Sequence, residues 1–168
     1  ISGIFAATGQ TCIAGSRLLV QRSIHDSFVE RLIEVAKEAK IGDPMSTETH
    51  VGPVTTPPQY KKILDYIEVA RKEGAKCVLG GKPYAGGGVR SDRFVEPTIF
   101  TGVSNQMRIA QEEIFGPVLT AIPFADEAEA LELANGVDYG LAGYVWTRDM
   151  TRALRFTEKM DAGMIWVN

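Results

Sequence analysis

The sequence predicts an α/β fold: a mostly parallel sheet with helices on both faces. Two observations carry this. Segments with apolar residues at helical spacing alternate along the chain with short apolar runs of strand length. The helical segments run about 10 to 16 residues, long enough for right-handed crossovers that lay the next strand parallel to the last. At 168 residues and 45% hydrophobic content, the chain suits one domain with a sizeable core. No internal repeat and no linker divides it.

The elements follow in order. "ISGIFAA" is helix-like, and "RLLVQ" (17–21) reads as a short buried strand. In "SIHDSFVERLIEVAKEAK", Ser23 is placed as an N-cap with Asp26 three residues on, close to a capping box. Phe28, Leu32, Val35 and Ala39 share one face of that helix, and Gly42 with Pro44 closes it. A second helix starts at Thr56, with Pro57 at its first position. Tyr60, Ile63, Leu64, Ile67 and Ala70 form its buried stripe, and Gly74 ends it. "AKCVLGG" (75–81) is a strand and "KPYAGGGVRSD" a loop. "FVEPTIFTGV" (94–103) is extended, with Pro97 indicating an edge or a bend. "VLTAIPFA" (118–125) is a strand. Asp126 opens a helix with an acidic first turn, ended by Gly136. "LAGYVWT" is a strand, Asp149 caps a helix that runs to Gly163, and "MIWVN" is the last strand.

Composition excludes several classes. A net charge of −3 gives no electrostatic case for nucleic acid or an anionic membrane. No apolar run reaches the roughly 18 residues of a membrane span. The opening "ISGIFAATG" has no basic region of a signal peptide and no initiator Met, so a piece of a longer protein or a processed product is expected. Two cysteines make no disulfide framework, and two histidines without CxxC or HxxxH leave no recognisable zinc site. No metal is expected. Cys77 reads as a small core residue, and His25 and His50 as solvated surface. The composition suits a reducing, cytoplasmic compartment.

The glycines invite a phosphate-loop reading and do not support it. There is no GxGxxG and no GxxxxGK[ST], and "LGGKP" puts Pro83 where a P-loop needs Ser or Thr. "GGG" at 86–88 reads as a flexible loop. Two stretches remain. In "ATGQTCIAGSR" (7–17), Cys12 lies among small and polar residues between Gly9 and Gly15. It is either a buried structural thiol or a nucleophile in a tight turn that a substrate can approach. No Lys or Arg precedes it, the nearest cation is Arg17, and no partner base is identifiable by spacing. In "AQEEIFGPVL" (110–119), Glu112 and Glu113 are either solvated or able to accept hydrogen bonds from a vicinal diol such as a ribose. Phe115 is either core or a surface for a flat ring.

Together these stretches resemble the NAD(P)-dependent aldehyde dehydrogenase superfamily. "GQTCIAGSR" looks like its nucleophile segment, and "EEIFGPV", about 100 residues later, like its second signature. "GPV" at 52–54, "QYKKILDYI" at 59–67, "EGAKCVLGG" at 73–81, "FVEPTIF" at 94–100 and the closing "AGMIWVN" fit in order. The resemblance implies that Cys12 attacks an aldehyde carbonyl to give a thiohemiacetal, that hydride passes to NAD or NADP, and that the thioester is then cleaved. It implies that Glu113 binds the nicotinamide-side ribose and that Phe115 packs near the nicotinamide ring. Gln59 and Lys62 match positions that can approach the adenosine-side ribose.

By the same resemblance, residues 1–168 are most of the thiol-bearing catalytic domain. The general-base Glu-Leu-Gly-Gly segment, the cofactor-binding domain and the C-terminal oligomerisation segment are not in the chain. The expectations are a small-molecule aldehyde as the parent's substrate, a parent homo-oligomer, and an isolated chain that folds, self-associates through exposed apolar area and shows no turnover. A CoA-acylating relative would also keep Cys12 but need no general base, and an acyl phosphate reductase fits "EEIFGPV" less well. From other classes, a catalytically silent interaction domain of the same fold would commonly lose the Cys. A papain-type thiol hydrolase needs a His partner that neither His25 nor His50 signals.

Overall fold

Strand β1 (Arg17–Gln21) enters helix α1 (His25–Lys37) through a 3₁₀ turn at Arg22–Ile24. Helix α2 (Pro57–Lys72), strands β2 (Lys76–Leu79) and β3 (Thr98–Thr101) and the one-turn helix α3 (Arg108–Gln111) follow. Strand β4 (Val118–Phe124), helix α4 (Glu127–Asn135), strand β5 (Ala142–Val145), helix α5 (Met150–Lys159) and strand β6 (Met164–Val167) complete the order. The computed structural model describes residues 3–86, 89 and 93–168. Ile1, Ser2, Gly87 and Gly88 therefore lie outside the described residues, and with them the start of "ISGIFAA" and most of the "GGG" loop.

The main sheet has the order β1-β4-β3-β2. β1 and β3 both run parallel to β4, as their intervening helices require. β2 pairs antiparallel with β3 at the edge, and no helix separates those two strands among the described residues. β5 and β6 form a second, two-stranded parallel sheet joined by α5.

Alternation along the central strands builds two cores. Val118 and Ile122 of β4 and Phe100 of β3 face Ile63, Ile67 and Ala70 of α2 and Ile109 of α3. Leu119, Ile99 and Leu18 point the other way, against Leu32, Ile33 and Ala36 of α1. Helices on both faces of the sheet are thus present as expected. The α2 stripe is as the sequence predicts, and burying Ile63 and Ile67 to 0% and 1% exposure contributes roughly 1.5–3 kcal/mol each. Thr56 caps α2 by accepting the Gln59 N–H at 3.3 Å, and Gly74 leaves it with φ +94°.

Helix α1 departs from expectation. Ser23 lies in the 3₁₀ turn, and the N-cap position, Ile24, has no side-chain cap. The helix stops at Lys37, before Gly42 and Pro44. Its buried face is His25, Val29 and Ala36, flanked by Leu32 and Ile33, whereas Phe28 is exposed. The helix is apolar over a wide arc, and packing on Leu18, Ile99 and Leu119 selects a face about one residue round from the predicted one. His25 is consequently buried rather than solvated: its Nδ1 meets Asp26 at 2.8 Å and its Nε2 has no partner among the described residues. Pro97 marks a bend and not an edge, since β3, which it precedes, is interior to the sheet. Cys77 sits half-buried on the edge strand, its thiol donating to the Leu79 carbonyl at 3.2 Å.

Candidate active site

The approach to Cys12 is an irregular backbone anchored by buried Ile4 and Phe5. Ala7, Thr8 and Gly9 all adopt left-handed conformations, with φ of 50°, 58° and 67°. The two non-glycine residues each cost roughly 1–2 kcal/mol in that region. Thr8 is 1% exposed, and its hydroxyl donates to the Gly52 carbonyl at 2.9 Å. At Gly9 a Cβ would lie 2.0 Å from the Gly116 carbonyl oxygen, so only glycine permits this approach. A turn then closes as the Ala14 N–H donates to the Thr11 carbonyl at 2.9 Å. Cys12 occupies its second position, exposed to solvent. The amide N–H groups of Thr11, Cys12 and Ile13 donate to no protein acceptor among the described residues.

Arg17, the nearest cation in sequence, does not serve the thiol. Its half-buried guanidinium donates to Asn105 Oδ1 at 2.6 Å and to the carbonyls of Leu133 and Ala134, where it satisfies the C-terminus of α4. Burial pushes its pKa down from the ordinary arginine value.

The second predicted stretch separates its two glutamates. Glu112 accepts from Arg108 Nε at 2.7 Å and Nη2 at 2.9 Å, and from the Tyr66 hydroxyl at 2.5 Å. These bonds, Arg108 first and Tyr66 second, hold its carboxyl down to about 2. Glu113 is exposed and has no partner among the described residues. Glu112 is therefore committed to the scaffold, and Glu113 is the carboxylate left for a ligand. After buried Ile114, Phe115 turns left-handed at φ 59° and is half-buried. Gln59 holds this bend, its side-chain amide donating to the carbonyls of Ile114 at 2.8 Å and Phe115 at 2.9 Å.

Three loops thus converge. Gly9 meets Gly116, Thr8 meets Gly52, and the Gln10 side chain bridges the Thr55 N–H at 3.0 Å and the Pro53 carbonyl at 3.5 Å. From the other side, the Tyr144 hydroxyl of β5 donates to the Ile13 carbonyl at 2.8 Å, and its ring stacks on Trp166 with centroids 5.0 Å apart. The structure brings the segments carrying Cys12, Glu113 and Phe115 together. Gln59 is occupied beneath the Phe115 loop. Lys62 lies with Tyr66 and Arg108 beside a cavity of about 390 Å³, its Nζ 5.7 Å from the Tyr66 ring centroid. A larger cavity of about 790 Å³, lined by Trp146, Met150, Ala153 and Val167, contains none of the predicted site residues.

Sequence reasoning missed Thr8 and the Tyr66–Glu112–Arg108 cluster. The four-residue spacing of Arg108 and Glu112 is a visible signal for half of the cluster. Tyr66, 46 residues away, has none.

Glu113 is thus an exposed carboxylate without a partner among the described residues, two positions before the half-buried Phe115. The model of the aldehyde dehydrogenase family matches residues 1–168. A betaine aldehyde dehydrogenase of Mesorhizobium japonicum is 45% identical over 166 residues, covering 99% of this chain and 34% of that protein. A 5-carboxymethyl-2-hydroxymuconate semialdehyde dehydrogenase of Escherichia coli is 44% identical over 168 residues, covering 98% of this chain and 36% of that protein. The structure of a betaine aldehyde dehydrogenase from Staphylococcus aureus in complex with NAD+ superimposes with a TM-score of 0.96 at 42% identity, over 99% of this chain and 33% of that one. The chain spans about a third of the length of these relatives. With a family match over its full length and a fold that superimposes at this identity, the chain belongs to the aldehyde dehydrogenase family.

Proposed function

We propose that this chain is most of the thiol-bearing catalytic domain of an enzyme that oxidises an aldehyde to a carboxylic acid with NAD or NADP. One observation carries the reading: an exposed cysteine on a turn of unpaired N–H groups, packed through Gly9 against the loop that presents the unpaired Glu113. The Cys12 sulfur, as thiolate, adds to the aldehyde carbonyl carbon. The resulting oxyanion accepts the Cys12 N–H, which has no competing acceptor among the described residues. Glu113 accepts hydrogen bonds from the ribose hydroxyls, and Phe115 packs beside the nicotinamide, which orients the ring toward the thiohemiacetal carbon. A bound NAD or NADP would supply the hydride acceptor for conversion of the thiohemiacetal to the thioester. Water then cleaves the thioester and returns the thiol.

The relatives' names point to different aldehydes, so the aldehyde class is left unassigned. Exposed Trp146, Met150 and Leu154 support self-association, which accords with a homo-oligomeric parent. Among the described residues no helix is long and apolar enough to cross a membrane, and the two free thiols accord with a reducing cytoplasm.

The test is made on the full-length protein that carries this chain. Cys12→Ala should abolish aldehyde-dependent reduction of NAD or NADP, and Glu113→Gln should slow it by about 10²-fold through misplacement of the cofactor while leaving the fold intact. Full turnover in Cys12→Ala would refute the reading.

A further inference from the structure

We propose that Thr8 is a positioning residue for Cys12. Its buried hydroxyl holds the left-handed segment Ala7–Gly9 against the loop at Gly52, and this sets the direction in which the Cys12 turn leaves. The inference rests on the reading of Cys12 as the nucleophile and goes beyond it, because Thr8 touches neither thiol nor cofactor.

A β-branched residue at φ 58° is a backbone outlier, and such outliers persist only where the surroundings over-determine them. Here the surroundings can be named. Thr8 Oγ1 donates to the Gly52 carbonyl at 2.9 Å, 44 residues away in sequence. The Thr8 N–H donates to the Phe5 carbonyl at 3.1 Å, and the Gln10 N–H to the Ala7 carbonyl at 3.0 Å. The next residue, Gly9, abuts the Gly116 backbone. Gln10 repeats the attachment to the same loop by binding Thr55 and Pro53. Four residues before the thiol, the chain is thus bent the unfavoured way and clamped on two sides. The hydroxyl is the one side-chain bond the bend makes at its own centre. Without it, the Gly52 carbonyl loses that donor and the bend keeps its strain with less to oppose it.

The experiment uses the whole chain, with Thr8→Val removing the hydroxyl at nearly constant shape and Thr8→Ser keeping it. Amide hydrogen exchange is read at Gln10, Ala14 and Thr55, whose N–H groups close the clamp and the turn, and at Ile67 and Ile122 in the core. In Thr8→Val the clamp amides should exchange about ten-fold faster or more, with the core amides unchanged, as expected when a buried carbonyl loses its donor and one loop opens locally. Iodoacetamide labelling of Cys12 relative to Cys77 should fall about three-fold as the sulfur loses the fixed N–H groups of its turn. Thr8→Ser should match wild type in both. Equal exchange in Thr8→Val and wild type, or acceleration spread evenly over clamp and core, would overturn the proposal. So would acceleration in Thr8→Ser. Should Thr8→Val not fold, Thr8→Ala, which keeps a strained left-handed Cβ residue with less bulk and also lacks the hydroxyl, must show the same local opening. If wild-type Cys12 labels no faster than Cys77, the reading of Cys12 fails, while the exchange pattern still decides whether Thr8 is the clamp.

Discussion

Gly9→Ala is the perturbation that most directly probes how the two halves of the site are held together. The added Cβ would stand 2.0 Å from the Gly116 carbonyl oxygen, 2.3 Å from its carbon and 2.8 Å from the Pro117 nitrogen. All three are backbone atoms of a buried segment, so no side chain can swing away. Reaching ordinary contact near 3.4 Å requires the Cys12 and Phe115 loops to part by about 1.4 Å. Overpacking of this kind costs about 1–3 kcal/mol or more, and an alanine at φ +67° adds roughly 1–2 kcal/mol. Gly74→Ala is the control: φ there is +94°, yet nothing lies within 4 Å of its Cβ, so only the conformational cost applies. The assay is urea unfolding of both variants. Gly9→Ala should lose about 2–5 kcal/mol and Gly74→Ala about 1–2 kcal/mol. In the full-length protein Gly9→Ala should also lose about 10²-fold in turnover, the effect of a misplacement of this size. If the two variants are equally stable, the packing of Gly9 on Gly116 is not what joins the loops.

Three further outcomes are expected. Iodoacetamide should label Cys12 before Cys77 in the folded chain, because Cys12 is exposed and Cys77 is half-buried with its thiol bonded to Leu79; peptide mapping reads the order. The Glu112 carboxyl, held down to about 2, should titrate well below the ordinary carboxylate range in a carbon-detected NMR titration. A depressed carboxyl contributes stability that is present above its unfolded-state value and lost as pH falls toward the folded one, so the contribution should fade between about pH 4.5 and about pH 2. Its size should be modest and reduced by salt, since the side chain is 38% exposed; Tyr66→Phe should raise the titration midpoint. Thr56→Ala should cost about 1 kcal/mol by removing the α2 cap, read as a lower urea midpoint.

Much of the fold is legible because periodicity and caps act locally. Thr56, Asp126 and Asp149 each accept the N–H three residues on, as a sequence reader expects. The choice of face on α1 is not local. Phe28 and Val29 both lie on its apolar arc, yet Val29 is buried and Phe28 exposed, on a helix whose Leu32, Ile33 and Ala36 pack with Leu18, Ile99 and Leu119. His25 is misread for a related reason: it follows a cap-like Ser23 in sequence, yet the folded chain buries it. The antiparallel edge strand β2 escapes a rule that counts helices between strands, because the described residues between β2 and β3 form none.

At the site, motif and geometry answer different questions. The "EEIF" motif alone does not say which glutamate is available; it is resemblance that points to Glu113. The physical reason is in the partners: Arg108, one turn back, and Tyr66, on another helix, take both oxygens of Glu112 and leave Glu113 free. Likewise, the glycines of "ATGQTC" and "FGPV" do more than permit turns: they are a contact surface. A side chain at Gly9 would intrude on the Gly116 backbone, and one at Gly116 would strike Ile63. On the proposed mechanism, Cys12 and Glu113, about 100 residues apart in sequence, can act on one substrate only if their loops keep a fixed separation. A side-chain bridge would hold that separation through several rotatable bonds. Direct backbone packing, stiffened by Thr8 on Gly52 and by Gln59 on Ile114 and Phe115, has none to relax. On the proposed mechanism, rigidity matters most there, because hydride transfer depends steeply on the distance and angle between the thiohemiacetal and the ring.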